Sequence, residues 1–239
     1  GGSSLILADI TFRGADNGLM CTTSTVMFDR MVFDDHATYG LFSDSCNLYF
    51  RRSIMTDAGI AGLELRGGVL EIENSFVTNN GFDSNVEGGG ISADQGAIIR
   101  ANYVTLYNNL GTIGEFASVV CGTNGDDPEI DIRNSVIFGA SHDSLDVIRC
   151  ELFVKDSGYD WLNGMLPPAW DNIAMLTDDN IDNYLEVGAM GVVRAVDGEA
   201  NPLSQLAHWQ PGDPRHDFES DPRPDMEGAE DYAGADVAQ

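Results

Sequence analysis

Apolar and polar residues alternate in short runs along most of the chain, and the runs end in Gly, Asn, Asp or Ser. A period of two marks strands with one face turned inward, and small polar residues mark the turns between them. Aligned on one inward position, the runs give Phe12, Phe33, Met55, Val77, Leu106, Ile137 and Tyr159, at spacings of 21, 22, 22, 29, 31 and 22 residues. A unit near 22 residues therefore repeats about seven times, with two longer insertions. A second column aligns Leu19, Leu41, Leu63, Ile91, Val119 and Ile148. A third aligns Val26, Leu48, Leu70, Ile130 and Leu152, each followed two positions later by another large residue, from Phe28 and Phe50 to Val154.

Three short strands per unit follow from these columns. One unit cannot bury its own apolar side chains, but units stacked about 4.8 Å apart share a continuous interior and pair their backbones in parallel ladders. The pattern predicts an all-β fold, a right-handed parallel β-helix built of three-strand coils of about 22–31 residues. It occupies residues 1–160, and an irregular, acidic, loop-rich cap follows over 161–239. The abrupt start, Gly1-Gly2-Ser3-Ser4 running straight into strand-like Leu5 to Phe12, suggests a β-helix truncated at its N-terminus.

Two rows in this frame carry further expectations. Asp35, Asp57, Asn79 and Asn108 each fall two residues after the first inward column, where short polar side chains tolerate a left-handed backbone and bond along the stack. A row of metal-binding carboxylates is the sharper alternative, and its Asn members count against it. Outward positions of the first strand read Thr11, Val32, Ile54, Phe76, Thr105 and Val136, an apolar stripe on a face that should be wet. Either the tail folds back over it, which we favour, or a partner chain covers it.

The four cysteines add a constraint. Cys121 and Cys150 each lie two residues after a second-column position, Val119 and Ile148, so they stack on consecutive coils at a separation a disulfide accepts. Cys21 and Cys46 are also one coil apart, at unequal offsets from Leu19 and Leu41, which makes their bridge the less certain. The plain alternative is four small buried side chains without a bond. Two bonds place the chain outside the cell, at its surface or in the periplasm.

Charge narrows the partners. Against 39 acidic residues stand 12 basic ones, a net charge of −27, which repels nucleic acid and anionic membrane surfaces. A solvated surface suited to salt, calcium binding through Asp oxygens, and attraction to cationic partners all remain open explanations of the acidity. No run of eighteen apolar residues occurs, so no membrane insertion is expected in this segment.

Candidate chemistry is sparse. A calcium-assisted lyase needs clustered carboxylates beside a basic side chain, and the nearest approach is Asp34, Asp35 and His36, with Arg30, Arg51 and Arg52 on adjacent turns. Asp126-Asp127 and Asp178-Asp179 could hold calcium in loops. The histidines, His36, His142, His208 and His216, have no metal-ligand spacing.

The segments Ile72-Glu73-Asn74-Ser75-Phe76-Val77-Thr78-Asn79-Asn80, Gly88-Gly89-Gly90-Ile91 and Ile132-Arg133-Asn134-Ser135-Val136-Ile137 resemble repeats of bacterial surface and secreted β-helix proteins, the polymorphic outer-membrane-type and pectate-lyase-like families. The tail, from Asp217-Phe218-Glu219-Ser220-Asp221-Pro222-Arg223-Pro224 through Gly228 to Asp236, is similar to the closing sequence many such chains carry, which implies that the natural C-terminus is near. Fold alone does not give function. The expectation is a non-enzymatic extracellular or cell-surface scaffold for adhesion, assembly or ligand contact, touching a protein or glycan on one face, alone or as a subunit of a larger surface assembly. The alternative is a polysaccharide lyase or glycoside hydrolase acting on acidic glycans.

Overall fold

In a computed structural model the protein is an all-β parallel β-helix. The structure describes residues 4–83, 88–110, 118–121, 125–138, 145–146, 150–160, 170–176, 183–196 and 201–236. Each coil contributes three strands, which in the second coil are Val32–His36, Tyr39–Asp44 and Asn47–Arg51. The first and third strands of successive coils join one large parallel sheet, and the second strands form another.

Register follows the inward columns. Phe12 pairs with Phe33, Phe33 with Met55, Met55 with Val77, Val77 with Leu106, Leu106 with Ile137 and Ile137 with Tyr159. Ile99 supplies the third column's missing member, between Leu70 and Ile130. The second column departs at its last step, because Val119 pairs with Leu145, three residues before Ile148. Ile148 itself lies outside the described residues.

The chain turns each corner through a residue with positive φ. Between third and first strands these are Asp9, Arg30, Arg52, Asn74, Tyr103, Asn134 and Asp156, with φ between 44° and 57°. In three coils the two strands run together across this corner, as in Val69–Thr78, Ile98–Tyr107 and Glu151–Asp160. The next residue inward is usually serine. The Ser53 and Ser135 hydroxyls accept from Met31 N and Val104 N of the preceding coil, and Ser75 and Ser157 accept from Ser53 N and Ser135 N, all at 3.0–3.1 Å. Each of these hydroxyls also donates to the carbonyl two residues back, so each buried serine both accepts and donates.

At the corner after the first strand, Asp35, Asp57, Asn79 and Asn108 have φ of 50° to 58°, as the ladder expectation requires, and Asn108 Nδ2 donates to Asn79 Oδ1 at 2.7 Å. A second, buried ladder lies one residue further on: Asn80 Nδ2 donates to Asn109 Oδ1 at 2.9 Å, and Asn109 Nδ2 to Val77 O. Inside the coils, Phe28 stacks on Phe50 with centroids 4.2 Å apart, and Phe33 packs edge-on against both.

Parallel pairing does not stop at residue 160. Asp171–Leu176 pairs with Lys155 to Asp160 and adds one further strand to the stack. The tail then folds back along the body. Leu185, Val193, Leu203 and Leu206 form a second apolar cluster with Ile54, Phe76 and Val136, and Val32 packs against its edge. From Ile54 to Val136 the outward stripe is thus covered by the chain's own tail, while Val32 is half-buried and Thr11 exposed; the tail carries two short antiparallel pairs, Leu185–Val187 with Val193–Ala195 and Ala207–His208 with Glu230–Asp231.

Candidate functional site

Both disulfides are formed, and their frame corrects one expectation. Cys21–Cys46 and Cys121–Cys150 have Cα separations of 6.3 and 5.9 Å. Because the last second strand pairs at Leu145, Cys150 stands five residues beyond its column, as Cys46 does beyond Leu41. Cys121 and Cys150 are therefore not stacked at equal positions. Each bond instead runs diagonally, from the second strand of one coil to the corner that opens the third strand of the next, so the two bridges are equivalent.

The weak catalytic constellation is not assembled. Asp34 is buried and paired with Arg13 at 3.1 Å, while Asp35 is exposed at its left-handed corner. His36 is 2% exposed and turned inward, its Nδ1 3.4 Å from Ala15 O. Arg52 sits at the opposite end of the first strand and grips Asp29 through Nε and Nη2 at 2.7–3.1 Å. Asp126 and Asp127 are exposed, and among the described residues no three His, Cys, Asp or Glu side chains converge on a common point. Asp178 and Asp179 lie outside the described residues.

The geometry gathers charge elsewhere, on the outward face of the third strands. Parallel register sets Asp29 beside Arg51, Arg51 beside Glu73, and Glu71 beside Arg100, which in turn adjoins Asp131. Opposite signs on adjacent coils attract across the ladder. Arg51 Nε lies 3.2 Å from Glu73 and Arg100 Nη1 3.6 Å from Glu71.

A loop of the tail, Gly212 to His216, crosses this face and makes a groove of it. Asp213 anchors the loop: its buried carboxylate accepts from Asn102 Nδ2 at 3.1 Å and from Gln210 N at 2.8 Å, and it pairs with Arg133. A charge this buried is tolerable only with such partners. Asn74 Nδ2 donates to His216 O at 2.5 Å and fastens the other end of the loop.

Two adjoining depressions result, with Glu73 in the wall of both. One, about 360 Å³, lies between Arg51, Arg52 and Asn74 on the coils and Arg215 on the loop. The other, about 480 Å³, is lined by Glu71, Arg100, Asn102, Asp131, Arg133 and Gln210. Five of the chain's 12 basic side chains, Arg51, Arg52, Arg100, Arg133 and Arg215, border this one groove. Burial pushes the Glu73 carboxyl above its usual range, with Arg51 opposing the shift. Perturbed acids in clefts are candidates for function.

A second set of tail residues holds the strap in place. The Arg223 guanidinium lies 3.8 Å from the Tyr103 ring centroid, pairs with Asp231 at 2.9 Å, and donates to the carbonyls of Gly234 and Ala235. Nothing in the repeat pattern marks Asp213 or Arg223. The closing Asp221-Pro222-Arg223-Pro224 is a signal for Arg223 alone, and Asp213 has none.

The chain has no significant match among protein-family models, curated proteins or solved structures. Among the described residues, no helix is long and apolar enough to cross a membrane. Fold and site together define a parallel β-helix with two equivalent disulfides and a charged lateral groove roofed by its own tail.

Proposed function

We propose that the protein is a non-enzymatic scaffold of the extracellular space, cell surface or periplasm, akin to the bacterial β-helix repeat proteins it resembles, and that the lateral groove is its contact surface for a glycan. The observation that carries this reading is the groove's pairing: Arg51 with Glu73, Arg52 with Asp29, Arg100 with Glu71 and Arg133 with Asp213. Charges held in fixed mutual pairs make a preorganised hydrogen-bonding surface, whereas acid–base catalysis needs a group free to gain and lose a proton in reach of substrate. The two disulfides support an oxidising compartment.

A lyase or hydrolase acting on acidic glycans is the second reading, and Glu73 favours it, since a carboxyl pushed up by burial beside arginines is what a general acid requires. One experiment separates the two. Incubation with panels of neutral glycans and of pectin, alginate and glycosaminoglycans, with and without calcium, should show binding to at least one glycan without new unsaturated or reducing ends. Product formation that disappears in Glu73→Gln would replace the scaffold by the enzyme.

A further inference from the structure

We infer that the end of the groove under the Gly212 to His216 loop binds a single negatively charged group, a carboxylate or sulfate ester, carried on an otherwise neutral oligosaccharide. The inference rests on the groove being the contact surface. It goes further in assigning the ligand's charge and its direction.

The two depressions differ in balance. Under the loop stand Arg51, Arg52 and Arg215 against Glu73 and Asp213, and the Asp213 carboxylate is already taken by Arg133, Asn102 and the loop backbone. Arg51 and Arg52 have carboxylate partners, but Arg215 is exposed and, among the described residues, makes no salt bridge. In a chain with 39 acids and 12 bases, an arginine left unpaired opposite two others is a local reversal of the molecule's field.

The loop is not free to relax this arrangement, because the buried Asp213 and the Asn74 bond to His216 O fix both its ends. The backbone that carries Arg215 is thus fixed at the rim of the depression that Arg51 and Arg52 also line, and their guanidinium groups can converge on one anion.

The neighbouring depression has the opposite tendency. Arg100 and Arg133 there face Glu71, Glu73 and Asp131, and both arginines are paired. A second anion would be repelled, while sugar hydroxyls could donate to the carboxylates. The groove therefore suits a chain with its charge at one end and neutral rings beyond, rather than a polyanion.

Four probes test this by calorimetry on the intact protein: 3′-sialyllactose, lactose 3′-sulfate, lactose and tetragalacturonate. The sialyl and sulfate arms separate the two sources of charge. At least one of them should bind at least ten-fold more tightly than lactose, and more tightly than tetragalacturonate. Arg215→Ala, in an exposed loop position, should remove that ten-fold advantage without changing the melting temperature, whereas Arg66→Ala, on the second-strand sheet outside the groove, should leave the advantage intact. Equal affinity for lactose and its charged derivatives, no binding by either charged derivative, or an unaltered preference in Arg215→Ala overturns the inference. Binding of neutral glycans in the broader panel would then leave the scaffold reading standing, and failure of the whole panel would remove both.

Discussion

Where the coils stack, each inward residue meets a counterpart in the coil above and below, Phe28 on Phe50 and Phe33 on Met55, so that every contact is one instance of a repeated contact. The tail meets the same body through residues that occur once: Arg223 under Tyr103, Asp213 among Asn102 and Arg133, Phe218 edge-on to Phe76 with centroids 4.8 Å apart. The body is stabilised by apolar area, which is forgiving in detail. The tail depends on a few buried charges, which are unforgiving once a partner is lost. The difference teaches that the groove, whose floor is body and whose roof is tail, can be lost while the fold survives.

The largest effect should come from the body. Phe50→Ala, which empties a site with 0% exposure between Phe28 and Phe33, should cost about 4 kcal/mol and lower the melting of body and tail together in calorimetry. Replacing Cys21 and Cys46 by Ser opens a link across 25 residues and should cost about 3.5 kcal/mol in the chain-entropy account. If the two bridges are equivalent, the Cys121/Cys150 double variant should show a loss of the same size in chemical denaturation.

Arg223→Ala should act on the tail alone. Stranding the buried Asp231 should weaken docking by about 3 kcal/mol. Limited proteolysis should then cut within 183–236 while the far-ultraviolet spectrum of the coils persists. Simultaneous loss of both signals would show that body and tail are one cooperative unit.

A more gradual effect, spread over several pH units, is a pH dependence of tail docking. Burial, together with the neighbouring Asp217 charge, pushes the Asp236 carboxyl up to about 7 from its ordinary 3.8. A carboxyl whose pKa is raised on docking favours the docked state when protonated. Its contribution is therefore largest below about 4, declines as pH rises to about 7, and is constant above. Proteolysis of the tail should accelerate across that window, and Asp236→Asn should flatten the profile. An identical slope in the variant would assign the effect to other acids.

How much of this was legible in the chain depended on repetition. The first column was readable at all seven positions because neighbouring coils hold the same kind of side chain at the same offset. The second failed at its last coil, where Leu145 and Ile148 both offer an apolar residue, and aligning Ile148 made Cys121 and Cys150 look level. The diagonal course of Cys21–Cys46, formed at unequal offsets, was the clue that would have selected Leu145.

The groove was not legible. Its walls join Arg51 and Glu73 to Asp213 and Arg215, more than 130 residues away, along a tail whose course no period encodes. Asp213 and Arg223 are charged residues in buried places, which composition assigns to the surface. The catalytic candidates failed for the converse reason: Asp34, His36 and Arg52 are near in sequence, yet the left-handed corner at Asp35 breaks the alternation and turns His36 inward, and Arg52 stands at the far end of the strand.

The parallel register of the third strands has a last consequence. Side chains such as Glu71, Arg100 and Asp131 form a scale whose graduations are fixed at the interstrand distance of about 4.8 Å. A polymer with a matching repeat can meet successive graduations in phase, and one with a different repeat drifts out of step after a few units. Length discrimination could in this way arise from backbone pitch alone, with no dedicated residue to measure it.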